Sequence, residues 1–300
     1  MNSEPFLPYK HSGKFGLHGP ILAAICAVVL GFPLGIAYAY VIRWIPFIYV
    51  HFLATLGYGG VFGIITAILL KQTQVRNNTV AGFTCLLVGL IALYFAWSGY
   101  LCSIAKESPW FWRPRGIYNA MHILYQEGSW SLRDGGPVSG PLLALVWLIE
   151  AAIIIGMSVI VGIGIVTKTP FCEDNQCWLD KKKEIDTLET FTDPDQRASL
   201  KAGDLAPLAK AKPKIPGAQD FTRLTLKHSP KCDIFYTICI QDVTLSHDKK
   251  GNLKVNAKPV TKDLVLPHSM FELISKFENF KPAESETPPP AAASAEPQAT

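Results

Sequence analysis

Four cysteines fall in the second half of the chain as two pairs, Cys172 with Cys177 and Cys232 with Cys239. Thiolates bind metals and exchange disulfides, so two chemistries come first: a structural zinc held by all four, which would help a small domain fold, or a dithiol. The spacing counts against both. C-x4-C is looser than the usual zinc knuckle, and no histidine stands at knuckle spacing, although His228 and His247 are in the neighbourhood. An odd separation, as in C-x6-C, turns side chains to opposite faces of a regular strand. A redox pair of the familiar kind shows C-x-x-C in a βαβ setting, which is absent. The reading that follows is a set of reduced cysteines, with TKTPFCEDNQCWLDKKKE (residues 167–184) a hinge beside a membrane and structural zinc the alternative.

The second chemical candidate is Glu150, the one acid in four long apolar runs. A carboxylate in hydrocarbon costs about 2.5–3.5 kcal/mol even on insertion-derived scales, so it must face the bundle, pair or bind a proton. It serves either as a proton or cation relay or as a structural acid hydrogen-bonded to Tyr, Trp or backbone. No second acid or lysine stands in any run, so a relay lacks its next station. His51 is the expected partner, with Tyr94, Trp97 and Tyr100 nearby.

These residues need elements to position them. The chain is 49% hydrophobic and 17% charged, unusual for a water-soluble protein. Charge is uneven: of 28 Lys/Arg and 24 Asp/Glu, residues 1–166 hold 9 and 5. Crossing a bilayer takes about 20 helical residues, and runs near 20–42, 45–70, 80–105 and 141–166 meet that length with almost no polar stripe. They predict an all-α integral membrane domain, a four-helix transmembrane bundle. The first run is too long for a signal-peptide core and is read as a retained span.

Lysine and arginine counted near the spans set orientation. With the N terminus inside, Lys10, Lys14, Lys71, Arg76, Lys168, Lys181, Lys182 and Lys183 lie inside, against Arg43, Lys106, Arg113, Arg115 and Arg133 outside. The excess predicts both termini in the cytoplasm of a cell with an inner membrane. In the connection 106–140, Ile117, Met121, Ile123, Leu124 and Tyr125 with three tryptophans predict either a short amphipathic helix in the headgroup region or a compact loop. Asn77-Asn78-Thr79 matches a glycosylation sequon but is read as chance, in a short connection on the cytoplasmic side.

Gly31 and Gly35, Gly59 and Gly63, and Ser158 and Gly162 repeat small residues one turn apart, which lets helices approach closely. They predict a tight bundle or a homo-oligomer seam, with a glycine-lined pore as the functional alternative. Pro33 predicts a kink in the first span.

Residues 167–280 read as a small α+β cytoplasmic domain. IDTLETFTDPDQRASL predicts a short helix at its start, KAGDLAPLAKAKPKIPGAQD an exposed connector near 200–220, CDIFYTICIQDVTLS and the following run a β-hairpin turning near Lys249–Asn252, and PHSMFELISKFENF an amphipathic helix. Residues 281–300 have the composition of a disordered Pro/Ala-rich tail.

No phosphate-binding loop, dinucleotide fingerprint, H-E-x-x-H or G-x-S-x-G is present, and the neutral balance of the second half argues against nucleic acid. The sequence thus predicts a multi-pass membrane protein without catalytic chemistry or cofactor beyond the zinc alternative. Its partners are the lipid bilayer and a protein docked through the C-terminal domain. A small oligomeric transporter or channel subunit using Glu150 is the alternative.

Overall fold

The computed structural model describes residues 5–45, 47–104, 113–129, 136–249 and 251–280. The chain divides into two compact units, Lys10–Trp178 and Met1–Tyr9 with Leu179–Thr300, so the backbone passes between them twice, at Tyr9–Lys10 and Trp178–Leu179. The division therefore falls at 178/179 rather than at 167, and the segment ahead of the first span is itself split. The tail over 281–300 and the tryptophans at 110, 112 and 130 lie outside the described residues.

The helical unit contains α1 (His18–Trp44), α2 (Ile48–Gln72), α3 (Asn78–Ile104), α4 (Pro114–Glu127) and α5 (Gly140–Thr167), followed by a two-strand hairpin, β1 (Phe171–Cys172) and β2 (Cys177–Trp178). α1, α2, α3 and α5 are long and apolar enough to cross a membrane, the pattern of a multi-pass membrane protein. Their outward side chains are apolar too, as Ile21, Ile25, Val29 and Phe32 on α1 show. A helix apolar all round suits a membrane span or the core of a large protein. α1 continues through Pro33, which is exposed, while Gly31 and Gly35 on either side of it pack against Phe95 of α3.

Small residues set the pairing. Gly31 and Gly35 continue a row with Ala23 and Ala27 and meet α3: a Cβ at Gly35 would collide with the backbone of Phe95, and one at Gly99 with that of Gly35. Gly59 and Gly63 meet α5 in the same way, where added Cβ atoms would lie 2.5 Å from the Ile154 carbonyl and 2.8 Å from that of Ser158. Thus α1 lies along α3 and α2 along α5, and Ser158 Oγ donates across to the Cys85 carbonyl at 3.1 Å to join α5 to α3. Both predicted glycine seams are used inside one chain.

Of the two alternatives for the connection the helix is present, as α4, with Ile117 buried, Met121 and Leu124 half-buried, and Tyr118 and Ile123 exposed. Asn77 of the sequon caps α3, its Oδ1 accepting from Val80 N at 3.0 Å while its Nδ2 donates to the Gly13 carbonyl.

The sheet unit contains β3 (Lys181–Leu188), α6 (Pro194–Ala202), a 3-10 turn (Ala206–Lys210), β4 (Asp220–His228), β5 (Phe235–His247), β6 (Leu253–Pro259), β7 (Leu264–Pro267) and α7 (Phe271–Ser275). The sheet is antiparallel in the order β3-β4-β5-β6, and β7 pairs with the first part of β5, whose second part pairs with β6. Leu224 opposite Ile240 and Leu226 opposite Ile238 build one face of the core, closed by Leu200, Leu205, Leu208 and Ile274. Burial of each such side chain contributes about 1.5–3 kcal/mol.

Three expectations change. Residues 185–188, expected to start a helix, instead end the strand β3, because Ile185 and Leu188 turn into the core around a bulge. The helix begins only where Asp193 accepts from Asp195 N and Pro194 sets the first turn, and it ends at Gly203, whose φ is 90°. The connector is not wholly exposed, since Leu205 and Leu208 are buried. The closing helix is cut to one α-turn flanked by 3-10 turns, with Phe271 and Phe277 against the core. The hairpin over β5–β6 does turn where expected, with Asn252 and Gly251 amides donating to Asp248.

Residues 5–9 supply an unexpected edge. Val265 N donates to the Leu7 carbonyl at 3.0 Å and Tyr9 N to that of Asp263 at 2.8 Å, while Tyr9 stacks on Phe235. Gly203 admits the Phe6 carbonyl, which a side chain there would displace.

Candidate functional site

Glu150 sits among residues from three helices toward one end of the bundle. Tyr38, near the end of α1, donates to its Oε1 at 2.5 Å, and the Tyr38 hydroxyl also lies 2.9 Å from Thr55 Oγ1 on α2. Thr55 donates to the His51 carbonyl at 2.8 Å. The chain of contacts ends there, at a backbone oxygen. Tyr38 is 7% exposed and stacks on Tyr58 with ring centroids 4.7 Å apart, and Tyr58 in turn donates to the Ala92 carbonyl of α3. One phenol therefore ties α1, α2 and α5, and its neighbour ties α3.

The expected partners sit elsewhere. His51 bonds through Nε2 to the Ile45 carbonyl at 2.7 Å; its charge acts on Glu150 through space, while the hydrogen-bonded route between them runs through the His51 backbone, Thr55 and Tyr38. Trp97 packs edge-on against Trp147, and Tyr100 bonds Ser129 at 2.7 Å. Tyr38 was missed, though a signal existed: it lies three residues beyond Gly35, on the continuation of the packed row.

The second site is the hairpin β1–β2. Its register sets Phe171 opposite Trp178 and Cys172 opposite Cys177, around a turn of residues 173–176. Glu173 takes Arg76 Nη1 at 2.8 Å and Lys14 Nζ at 3.6 Å. The Arg76 guanidinium covers the Phe171 ring at 4.6 Å, Trp178 Nε1 donates to the Lys71 carbonyl at 2.8 Å, and the Lys71 ammonium lies 5.5 Å from the Trp178 ring. His11 sits edge-on to Trp178, with Nε2 3.3 Å from the Thr167 carbonyl, and burial holds its pKa below the ordinary histidine value. The hairpin is thus clamped by residues that precede α1 and end α2.

The four cysteines divide by unit. Cys172 and Cys177 face each other across the hairpin, and Cys172 Sγ donates to Asn175 Oδ1 at 3.6 Å. In the sheet unit Cys232 donates to the Phe235 carbonyl at 3.3 Å and Cys239 to that of Thr261 at 3.1 Å. Burial, with Asp263 nearby, raises the Cys239 pKa, which keeps it a thiol. Among the described residues no group of three or more His, Cys, Asp or Glu side chains is gathered to hold a metal. A cavity beside Glu189, Lys214 and Asp220 measures about 180 Å³, below the roughly 300–1,000 Å³ of ligand sites.

The sheet unit also holds an exposed arm. All seven residues of β6 are exposed, and it ends the sheet order. Pairing with β5 puts Lys254, Asn256 and Lys258 on one face and Leu253, Val255 and Ala257 on the other. The lysine triplet 181–183 lies in β3, where Lys183 pairs with Glu278 at 2.7 Å. Comparison of the chain with protein-family models, with curated proteins and with solved structures finds no match.

Proposed function

We propose that the protein is a non-enzymatic membrane anchor of the inner membrane, with both termini cytoplasmic, that presents its sheet unit as a docking module for a protein partner. One observation carries this reading: β6 is exposed along its whole length at the end of the sheet, with Leu253 at 58% and Val255 at 49% exposure and two lysines on its other face. A strand edge with unused amides accepts an added strand, and alternate side chains select it. Antiparallel pairing of β6 with a second copy about Asn256 would set Lys254 against Lys258, and like charges facing each other destabilise a strand pair. An extended acidic segment of a protein fits instead. The excess of Lys and Arg beside the spans on the side of both termini supports the orientation.

The transporter or channel reading draws less support. The small-residue rows that would line a pore or join copies are filled by α3 and α5 of the same chain. The hydrogen bonds leading from Glu150 pass through Tyr38 to Thr55 and end on the backbone carbonyl of His51, with no second carboxylate in the chain of contacts.

A photocrosslinking residue in place of Val255, in the full chain in cells, tests the docking reading. An adduct is expected that disappears when Lys254→Glu and Lys258→Glu are combined. No adduct, or one indifferent to the charge reversal, would remove the reading, and a reporter after Thr300 that works only outside the cell would remove the orientation.

A further inference from the structure

We infer that Cys172 and Cys177 are a disulfide-forming pair, a site of reversible oxidation by small-molecule or protein disulfides. The two are register partners across β1–β2. Directly opposed residues of an antiparallel pair have Cα atoms about 4.5 or 5.5 Å apart, and both values lie within the 4.4–6.8 Å that a disulfide spans. No C-x-x-C motif is needed, because the turn of residues 173–176 does what the tight spacing of that motif does elsewhere. Cys232 and Cys239 differ: Cys232 precedes β5, Cys239 lies within β5 opposite Thr225, and each thiol is directed at a separate carbonyl.

Access follows from the same geometry. Cys172 is 0% and Cys177 8% exposed, while turn residues Asp174, Asn175 and Gln176 are exposed. Attack requires local opening of a ladder of only two residue pairs, with Glu173 still held by Arg76 and Lys14, and Cys177, the more exposed of the two thiols, is presented first. Its thiolate attacks one sulfur of an external disulfide RSSR, forming a mixed disulfide and releasing RS⁻. Cys172 then loses its proton and attacks Cys177 Sγ, releasing the second RS⁻. Two thiols are oxidised to one disulfide while RSSR is reduced to two RSH. In a reducing compartment the pair stays a dithiol and closes only as the disulfide pool rises. Closure puts a covalent ring where the backbone leaves the helical unit, between Phe171 under Arg76 and Trp178 beside Lys71.

Trypsin releases residues 169–181 as one peptide with both cysteines. The full chain in lipid nanodiscs is equilibrated with reduced and oxidised glutathione in graded ratios, quenched in acid, denatured and alkylated. The expected result is a peptide that loses two hydrogen masses and both alkyl groups as the ratio rises and regains them with a phosphine, while Cys232 and Cys239 stay alkylated. Cys177→Ser should abolish the loss of mass and leave Cys172 alkylated. Full alkylation of both cysteines at every ratio overturns the inference, as does exclusive joining of either to another cysteine.

Discussion

Tyr38 and Glu150 are joined by a 2.5 Å hydrogen bond between α1 and α5, with the phenol as donor. The bond meets the need of a carboxyl group placed where water is scarce. It also sets the two residues apart in consequence. Tyr38→Phe removes the donor, strands the Glu150 acceptor and withdraws the neighbour of Thr55, so the helical unit should lose about 1–3 kcal/mol. Glu150→Gln keeps an oxygen for Tyr38 and should cost less than about 1 kcal/mol, near the mean for hydrogen bonds between membrane helices. Thermal unfolding in detergent compares them. If Glu150→Gln proved the more damaging, or abolished a measurable ion flux in liposomes, the structural role given to this carboxyl would fail.

The glycine rows predict a contrast within one helix. Gly59→Ala places a methyl 2.5 Å from the Ile154 carbonyl, whereas Gly57→Ala meets nothing within 4 Å. Overpacking of this kind typically costs about 1–3 kcal/mol, and the seam can relieve it only by separating α2 from α5. Gly57→Ala should leave the unfolding temperature unchanged or raise it. Equal effects at the two positions would mean that the α2–α5 approach is not as close as described.

How far these sites were legible in the sequence depended on the range of the interaction. Each span was visible because lipid demands a long apolar run whatever its neighbours do, and its ends fell within a few residues of α1, α2, α3 and α5. That Glu150 must have a partner was equally visible. Tyr38 was visible only as a place on the packed row of α1, since its pairing with Glu150 depends on how α1 and α5 rotate against each other. The edge formed by Leu7 and Val265 joins residues far apart in the chain and has no local signature. The strand at 181–188 was masked because a bulge breaks its alternation. The spacing of Cys172 and Cys177 matches no metal or redox motif, whereas the turn between them decides that they face each other.

His11 gives the hairpin a pH dependence of definite sign. Burial is the largest cause of its lowered pKa; Arg76 adds to the shift, while the Thr167 carbonyl and Glu173 oppose it. A base with a depressed folded pKa is bound to more protons when unfolded, so stability rises with pH across the shift. The contribution is complete above the ordinary histidine value of about 6.5 and is lost as pH falls toward the folded value. Hydrogen exchange of the peptide covering residues 169–181 should therefore accelerate, relative to the intrinsic rate, on acidification below that point. His11→Gln should flatten the response, and a hairpin that tightened on acidification would contradict the burial of a neutral imidazole.

The β6 arm separates stability from recognition. Its residues are exposed throughout, while Leu224 of β4 is 0% exposed in the core. Exposed substitutions away from caps and ion pairs typically change stability by less than about 0.5 kcal/mol. Truncation of a buried leucine costs about 2–5 kcal/mol through lost transfer energy and the cavity left behind. Lys254→Glu with Lys258→Glu should accordingly leave the unfolding of the sheet unit in place while removing the crosslink at position 255, and Leu224→Ala should lower the unfolding midpoint. Asp242 lies opposite Lys258 in the register, so the reversal sets like charges across the strands there, a cost that the Arg197 guanidinium at 2.5 Å from Asp242 offsets. Should the charge-reversed arm unfold the sheet unit, its lysines would belong to the fold rather than to a docking edge.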